Sequence, residues 1–390
     1  MNALSRIVSS QRYSRNLIRI SSTYYSTDDR WMIAVKNAEK IVGYSTSFMN
    51  LRWLLTDEIS NIASYVSKLI GTRHPMLGVA RDLIQQNDTA KWGLIVLLVS
   101  KAGGITSGIE DIEQDELTGI LHTQRSLAEI TEMIKTGHQM HSTMLTLKET
   151  DENYKNLHFG NKLALLSGDY LYSKSFKDLA LLNNNDLNEI IATSLRDLAH
   201  SDFIQPRDQY DKPLPSKPNP NNYKNQISES DMGPYDINKF LGNPREEWIL
   251  RNVLGGITLL AKSCKGAMIL GGHPKEFQQI GFELGRSLGL AWQANEELKP
   301  FIQNTTLPFS LTSAPVLFQL LEEPDMYELF EGSNYQYKEI RNRVLNGEGI
   351  NKTVDLLQEL KEESMDILDT FPRNDAQFAL MQLVEALSPY

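Results

Sequence analysis

The 390-residue sequence holds one cysteine, Cys264, which rules out an internal disulfide and any multi-thiolate metal site. Long apolar runs are also missing. The longest, Leu94 to Val99, falls far short of the ~20 residues that cross a bilayer, so the chain is expected to be soluble or peripheral to a membrane. Positive charge is scarce: 39 Lys and Arg face 49 Asp and Glu, a formal net charge of -10. No basic cluster appears, which argues against nucleic acid as a partner. Alternating apolar and polar residues, the mark of a half-buried strand, are absent as well.

What the sequence has in quantity is helical periodicity. Leu51, Leu54, Leu55, Ile59, Ile62, Val66 and Leu69 recur at steps of three and four, and the same spacing continues nearly to the C-terminus. It predicts helices over 75–86, 89–102, 116–148, 159–182, 185–203, 245–271, 274–303, 311–322, 335–346, 350–370 and 373–388. At 41% hydrophobic, the chain can bury a sizeable core, and the expected fold class is all-α in a single large domain.

Two stretches depart from this pattern. Residues 1–27 contain Arg6, Arg12, Arg15 and Arg19, many serines and no acid before Asp28, the composition of a mitochondrial transit peptide and hence of a matrix protein. A disordered basic start without an address would look the same. Cleavage would remove four positive charges, taking the formal net charge from -10 to -14. The remaining domain, 28–390, is interrupted at 204–244 by seven prolines among many asparagines, which neither a helix nor a central strand tolerates. That insertion is expected to be disordered, the alternative being a partner-binding surface.

Within the helical stretches, Gly160, Ala164 and Gly168 share one face and allow close approach of another helix. Asp169 beside them could cap a helix, bond an interior side chain or help order a site. His138 and His141 lie one turn apart, but no third ligand is evident for a zinc site, and packing or capping explains them more simply.

The order of several phrases resembles the trans-prenyl diphosphate synthases. Phe159 to Asp169 resembles that family's helix ending in Gly-Asp, Lys262-Ser263 its Lys-Thr pair, Leu284 to Gln293 the approach to its second aspartate motif, and Thr312 to Phe318 the segment after it. Ala38 to Tyr44 with Ser47-Phe48-Met49 resembles the second-subunit branch of the long-chain, ubiquinone-pathway synthases. The resemblance runs from about residue 34 to the C-terminus and implies an isoprenoid-synthase-like helical bundle.

It also exposes losses. Active members hold Mg²⁺ against a diphosphate with two Asp-Asp-x-x-Asp clusters, each on one helix face. Where the first is expected, this chain has Ser142, Thr143 and Thr146, hydroxyls that lack the anionic charge for such a site. The second reads Glu296, Glu297, Leu298, Lys299 and Pro300, leaving Glu296 and Glu297 as weak metal candidates or a solvated helix end. The isopentenyl diphosphate grip is reduced to Gly71-Thr72-Arg73-His74-Pro75, and the family's Arg-Arg-Gly has no clear counterpart between Leu147 and His158. Arg73, Lys262 and Gln293 remain as substrate-binding remnants, though Lys262 and Gln293 could equally satisfy interior hydrogen bonds.

No catalytic residue is therefore expected in this chain. The resemblance implies a non-catalytic or assisting subunit of a heteromeric all-trans-polyprenyl diphosphate synthase, paired, as a heterotetramer, with a homologous catalytic subunit that holds the Mg²⁺, the allylic diphosphate and isopentenyl diphosphate. The alternatives are an independently active prenyltransferase with a degenerate metal site, or a helical carrier of isoprenoids. The expected interface lies around Leu117 to Leu147 and neighbouring helices, using Leu117, Ile120, Leu121, Leu127, Ile130, Ile134 and Leu145. Packing of those same side chains into their own core is the competing expectation.

Overall fold

The computed structural model describes residues 27–43, 73–79, 91–106, 119–303, 307–330 and 335–388. Apart from Thr27, the expected transit peptide lies outside them, as do the Leu51 to Leu69 repeat and Leu117. The helices in chain order are α1 (Thr27–Val42), α2 (Trp92–Gly103), α3 (His122–His141), α4 (Tyr154–Leu181), α5 (Asn185–Ser201), α6 (Pro244–Asn252), α7 (Thr258–Leu270), α8 (Lys275–Ile302), α9 (Ala314–Glu322), α10 (Tyr337–Asn346), α11 (Gly349–Asp369) and α12 (Asp375–Ala386). Among the described residues no strand forms, and Arg207 and Pro213 meet only as an isolated antiparallel bridge. The all-α expectation therefore matches what is observed.

Several ends are written into the sequence. Asn184 and Asn374 each accept a hydrogen bond at 2.9 Å from the backbone N–H three residues on, which caps α5 and α12. Pro244 opens α6, where its missing N–H costs nothing. α7 and α8 pack along one another, α8 also packs on α11, α3 on α4, and α12 on α1 and α2. Ile120, Leu127, Ile130 and Ile134 are essentially inaccessible and belong to this chain's own core, which corrects their assignment to a partner interface.

α6 and α7 are joined by a π turn, Val253–Ile257, in which Gly256 adopts φ 155°. A Cβ there would stand 2.8 Å from the Trp92 ring, so both the backbone and the close approach require glycine. The run Pro244–Leu270 is long and apolar enough to cross a membrane, yet 78% of its most apolar window is buried in the bundle, as in a core helix.

The Pro- and Asn-rich stretch is not the disordered insertion expected. It is an irregular strap seated on α6 and α8. Glu247 accepts from Ser216 N at 3.1 Å and Gly242 N at 2.8 Å, Glu246 from Ile227 N at 2.8 Å, and Arg286 donates to the Ser228 carbonyl at 2.8 Å. Asn222, Asn225 and Asn243 stitch the strap to itself through backbone carbonyls. Proline excludes helix, but it does not exclude order when side chains elsewhere satisfy the backbone.

Candidate functional site

α3 stops at His141, although its periodicity predicts a helix running to residue 148. The Ser142 amide and hydroxyl both donate to the His138 carbonyl at 2.9 Å, and Thr143 Oγ1 donates to Met140 O at 2.6 Å. Asn161 on α4 then captures Leu145 by donating to its carbonyl at 2.7 Å and accepting from its amide at 2.8 Å. His74, itself buried, reaches the same Asn161 Oδ1 at 3.0 Å. These local bonds outcompete another helical turn. Ser142, Thr143 and Thr146 therefore do not share a helix face. They line a broad groove of about 1150 Å³ whose other wall is the strap at 207–213, with Tyr335 and Tyr337 at its edge.

The α3–α4 contact itself follows the small-residue face. A Cβ on Gly168 would fall 2.3 Å from the His141 ring, and His141 Nε2 lies 3.3 Å from Asp169 Oδ1, which is 57% exposed. Burial holds the His138 imidazole below its ordinary range. Among the described residues no group of three or more His, Cys, Asp or Glu side chains is arranged to hold a metal ion.

At the other end of the site, Glu296 pairs with Lys299 at 2.7 Å. Glu297 is engaged on both oxygens: Oε1 accepts from Gln293 Nε2 at 2.8 Å, and Oε2 from Trp248 Nε1 and Ala314 N, each at 2.7 Å. Burial pushes this carboxyl upward while its three hydrogen bonds oppose the shift. Ala314 N is an orphan donor at the start of α9, where a carboxylate is also favoured by the helix dipole. The residues present at the two motif positions thus do not fit a magnesium ion.

Of the three basic or polar remnants, Gln293 lines a central cavity of about 270 Å³ together with Trp92, Lys135, His138, Gln139 and Trp292. Lys262 lines neither this cavity nor the groove. It is 1% exposed and donates to Asp197 Oδ2 at 2.5 Å, while Asp197 also accepts from Thr258 and Arg196. Burial lowers the Lys262 amine from its ordinary value and Asp197 pulls it back. Arg73 is exposed beside the buried His74.

Two contributors were missed from sequence. Lys135 lies 5.0 Å above the Trp92 ring, with Glu132 at 3.7 Å, and burial is the main cause that lowers its amine. A Glu and a Lys three residues apart, Glu132 and Lys135, inside the periodic stretch of α3 were the available signal. Asp197, 65 residues from Lys262, gave none.

No family model matches the chain. The human all trans-polyprenyl-diphosphate synthase PDSS2 is 36% identical over 375 residues, covering 92% of this chain and 88% of the human one. A probable mitochondrial hexaprenyl pyrophosphate synthase of Yarrowia lipolytica is 25% identical, covering 90% of this chain and 87% of its own. Among solved structures, geranylgeranyl pyrophosphate synthase from Lactobacillus brevis superposes with a TM-score of 0.60 at 15% identity, over 90% of this chain and 95% of that one. A polyprenyl synthase from Caulobacter crescentus, complexed with calcium and isoprenyl diphosphate, gives 0.55 at 15% identity, over 88% and 98%. At such identities the solved structures speak for the fold alone.

Proposed function

Because this chain belongs to the trans-prenyl diphosphate synthase family, a family of transferases, we propose that it is a non-catalytic or assisting subunit of a mitochondrial all-trans-polyprenyl diphosphate synthase. Its partner is a homologous catalytic subunit, assembled with it as a heterotetramer in the matrix. That partner holds the Mg²⁺ and joins isopentenyl diphosphate to an allylic diphosphate for the ubiquinone side chain. Arg73 and Gln293 are retained polar positions of the ancestral pocket, and Lys262 is an interior ion pair.

The observation that carries this proposal is the end of α3. Ser142 closes the helix where a metal-binding turn would need to continue, and every hydroxyl at that motif is neutral. With the apolar side chains of α3 committed to the core, the partner-facing surface is assigned to the neighbouring α4, where Leu165, Leu166 and Leu181 stay 42%, 54% and 66% exposed.

Co-expression with the catalytic homologue, compared with each chain alone, tests the proposal. The expected result is co-elution and long-chain product only from the mixture. Full activity of the homologue alone, or Mg²⁺-dependent turnover by this chain alone, overturns it.

A further inference from the structure

The carboxylates surviving at the second motif position are both engaged by donors of this chain. A magnesium ligand must turn a lone pair toward the ion at ~2.0–2.1 Å, and a carboxylate offers about four such sites in all. Glu297 has given three to protein donors, and two of those donors are locked in place: Trp248 and Ala314 are completely buried. Each donor comes from a different part of the bundle, Trp248 from α6, Gln293 from one turn earlier on α8, and Ala314 from the first residue of α9.

We infer that Glu297 is a hydrogen-bond lock that fixes the start of α9 and the α6 tryptophan against α8, and that this structural role has replaced metal binding at this end of α8. All three donors are neutral, so the lock needs an acceptor and not a charge. Only one lone pair, on Oε1, is left unused, and turning Oε2 toward an ion would leave the buried Trp248 N–H and Ala314 N–H without partners. The rest of the motif agrees with the exchange. Glu296 is drawn to Lys299, and Pro300 stands where the third acid would be, within α8. The inference concerns this chain's own packing and does not depend on a partner subunit.

The test uses the full chain with its indole N–H groups labelled for NMR, the Trp248 signal being assigned with Trp248→Phe. Inorganic pyrophosphate with Mg²⁺ serves as the probe. The expected result is a Trp248 signal and a Tm that the probe does not move. Glu297→Ala should lose the downfield shift of that signal and lower Tm by about 4 °C or more without any metal present. Glu297→Gln keeps an acceptor of the same shape, and its amide can be matched by a flipped Gln293, so it should retain the Trp248 shift and stay within about 2 °C of the parent. A probe that raises Tm and moves the Trp248 signal, with both responses abolished by Glu297→Ala and by Glu297→Gln, overturns the inference. So does a Glu297→Ala chain whose Trp248 signal and metal-free Tm match the parent.

Discussion

Replacing Lys262 with methionine separates an interior ion pair from a substrate contact. The side chain keeps most of its apolar length but loses the ammonium that meets Asp197, both groups being 1% exposed. Asp197 is left with Thr258 at 2.9 Å and with Arg196 at 2.6 Å, so its charge is not wholly abandoned. Breaking a buried pair from one side costs about 3–5 kcal/mol, and the remaining partners place this site near about 3 kcal/mol. At ~2 °C per kcal/mol for a large domain, Lys262→Met should lower Tm by about 6 °C. Asp197→Asn in the same background should then cost at least about 1 kcal/mol less than it does alone, since the two groups act as a unit. Thermal unfolding of the four chains reads both quantities. If Lys262→Met unfolds within about 1 °C of the parent while raising KM for a diphosphate substrate in the assembled enzyme, Lys262 faces ligand and its interior role is refuted.

Gly168→Ala should destabilise the α3–α4 contact by about 1–3 kcal/mol, because the new Cβ lies 2.3 Å from the His141 ring and 3.0 Å from the Gly137 carbonyl oxygen; an unchanged Tm contradicts this. Burial, then the nearby Glu229, raise the Glu363 carboxyl from an ordinary 4.5 to about 7, so the folded chain binds that proton more tightly than the unfolded chain. Stability contributed by this group is complete below pH 4.5 and is lost as pH rises through about 7. Discounted for its partial exposure, Glu363→Gln should gain on the order of 1–2 kcal/mol at pH 8 and flatten that slope, whereas denaturation curves parallel to the parent's at every pH would exclude it. Leu166→Asp, at a 54% exposed position, should leave the isolated chain within about 0.5 kcal/mol of the parent while cutting association with the catalytic homologue at least tenfold; Leu127→Asp, in the core, should unfold the chain instead. Undiminished association of a Leu166→Asp chain that circular dichroism shows to be folded would remove α4 from the interface.

The helices were legible because each buries a continuous apolar face, and a 3.6-residue period survives whatever the helix packs against. The stretch 185–203 became Asn185–Ser201, and 335–346 became Tyr337–Asn346. The false extension of α3 to 148 came from trusting that period past His141, where Asn161 on another helix takes over the backbone of Leu145. The strap was misread for a related reason. Its prolines announce that it is not helical, but its order depends on Glu246, Glu247 and Arg286, none of which lies within 204–244. At the site, the loss of acids at Ser142, Thr143 and Thr146 was plain from residue type alone. The fate of Glu297 was not, since its partners Trp248 and Ala314 are 49 and 17 residues away.

The seating of the strap also decides which residues are free to change over evolutionary time. At Ile227 the bond to Glu246, and at Ser216 one of the two bonds to Glu247, come from the main chain, and every amino acid except proline carries that N–H; the Ser216 hydroxyl supplies the other. The strap can therefore drift at these points and keep its course, while the instructions for that course are written in two adjacent glutamates outside it. A search for the same strap in divergent relatives would have few of its own letters to match, chiefly Asn222, Asn225 and Asn243, whose side chains stitch it together. It would do better to look just past the strap, for a proline-opened helix whose first turn carries two consecutive buried acids.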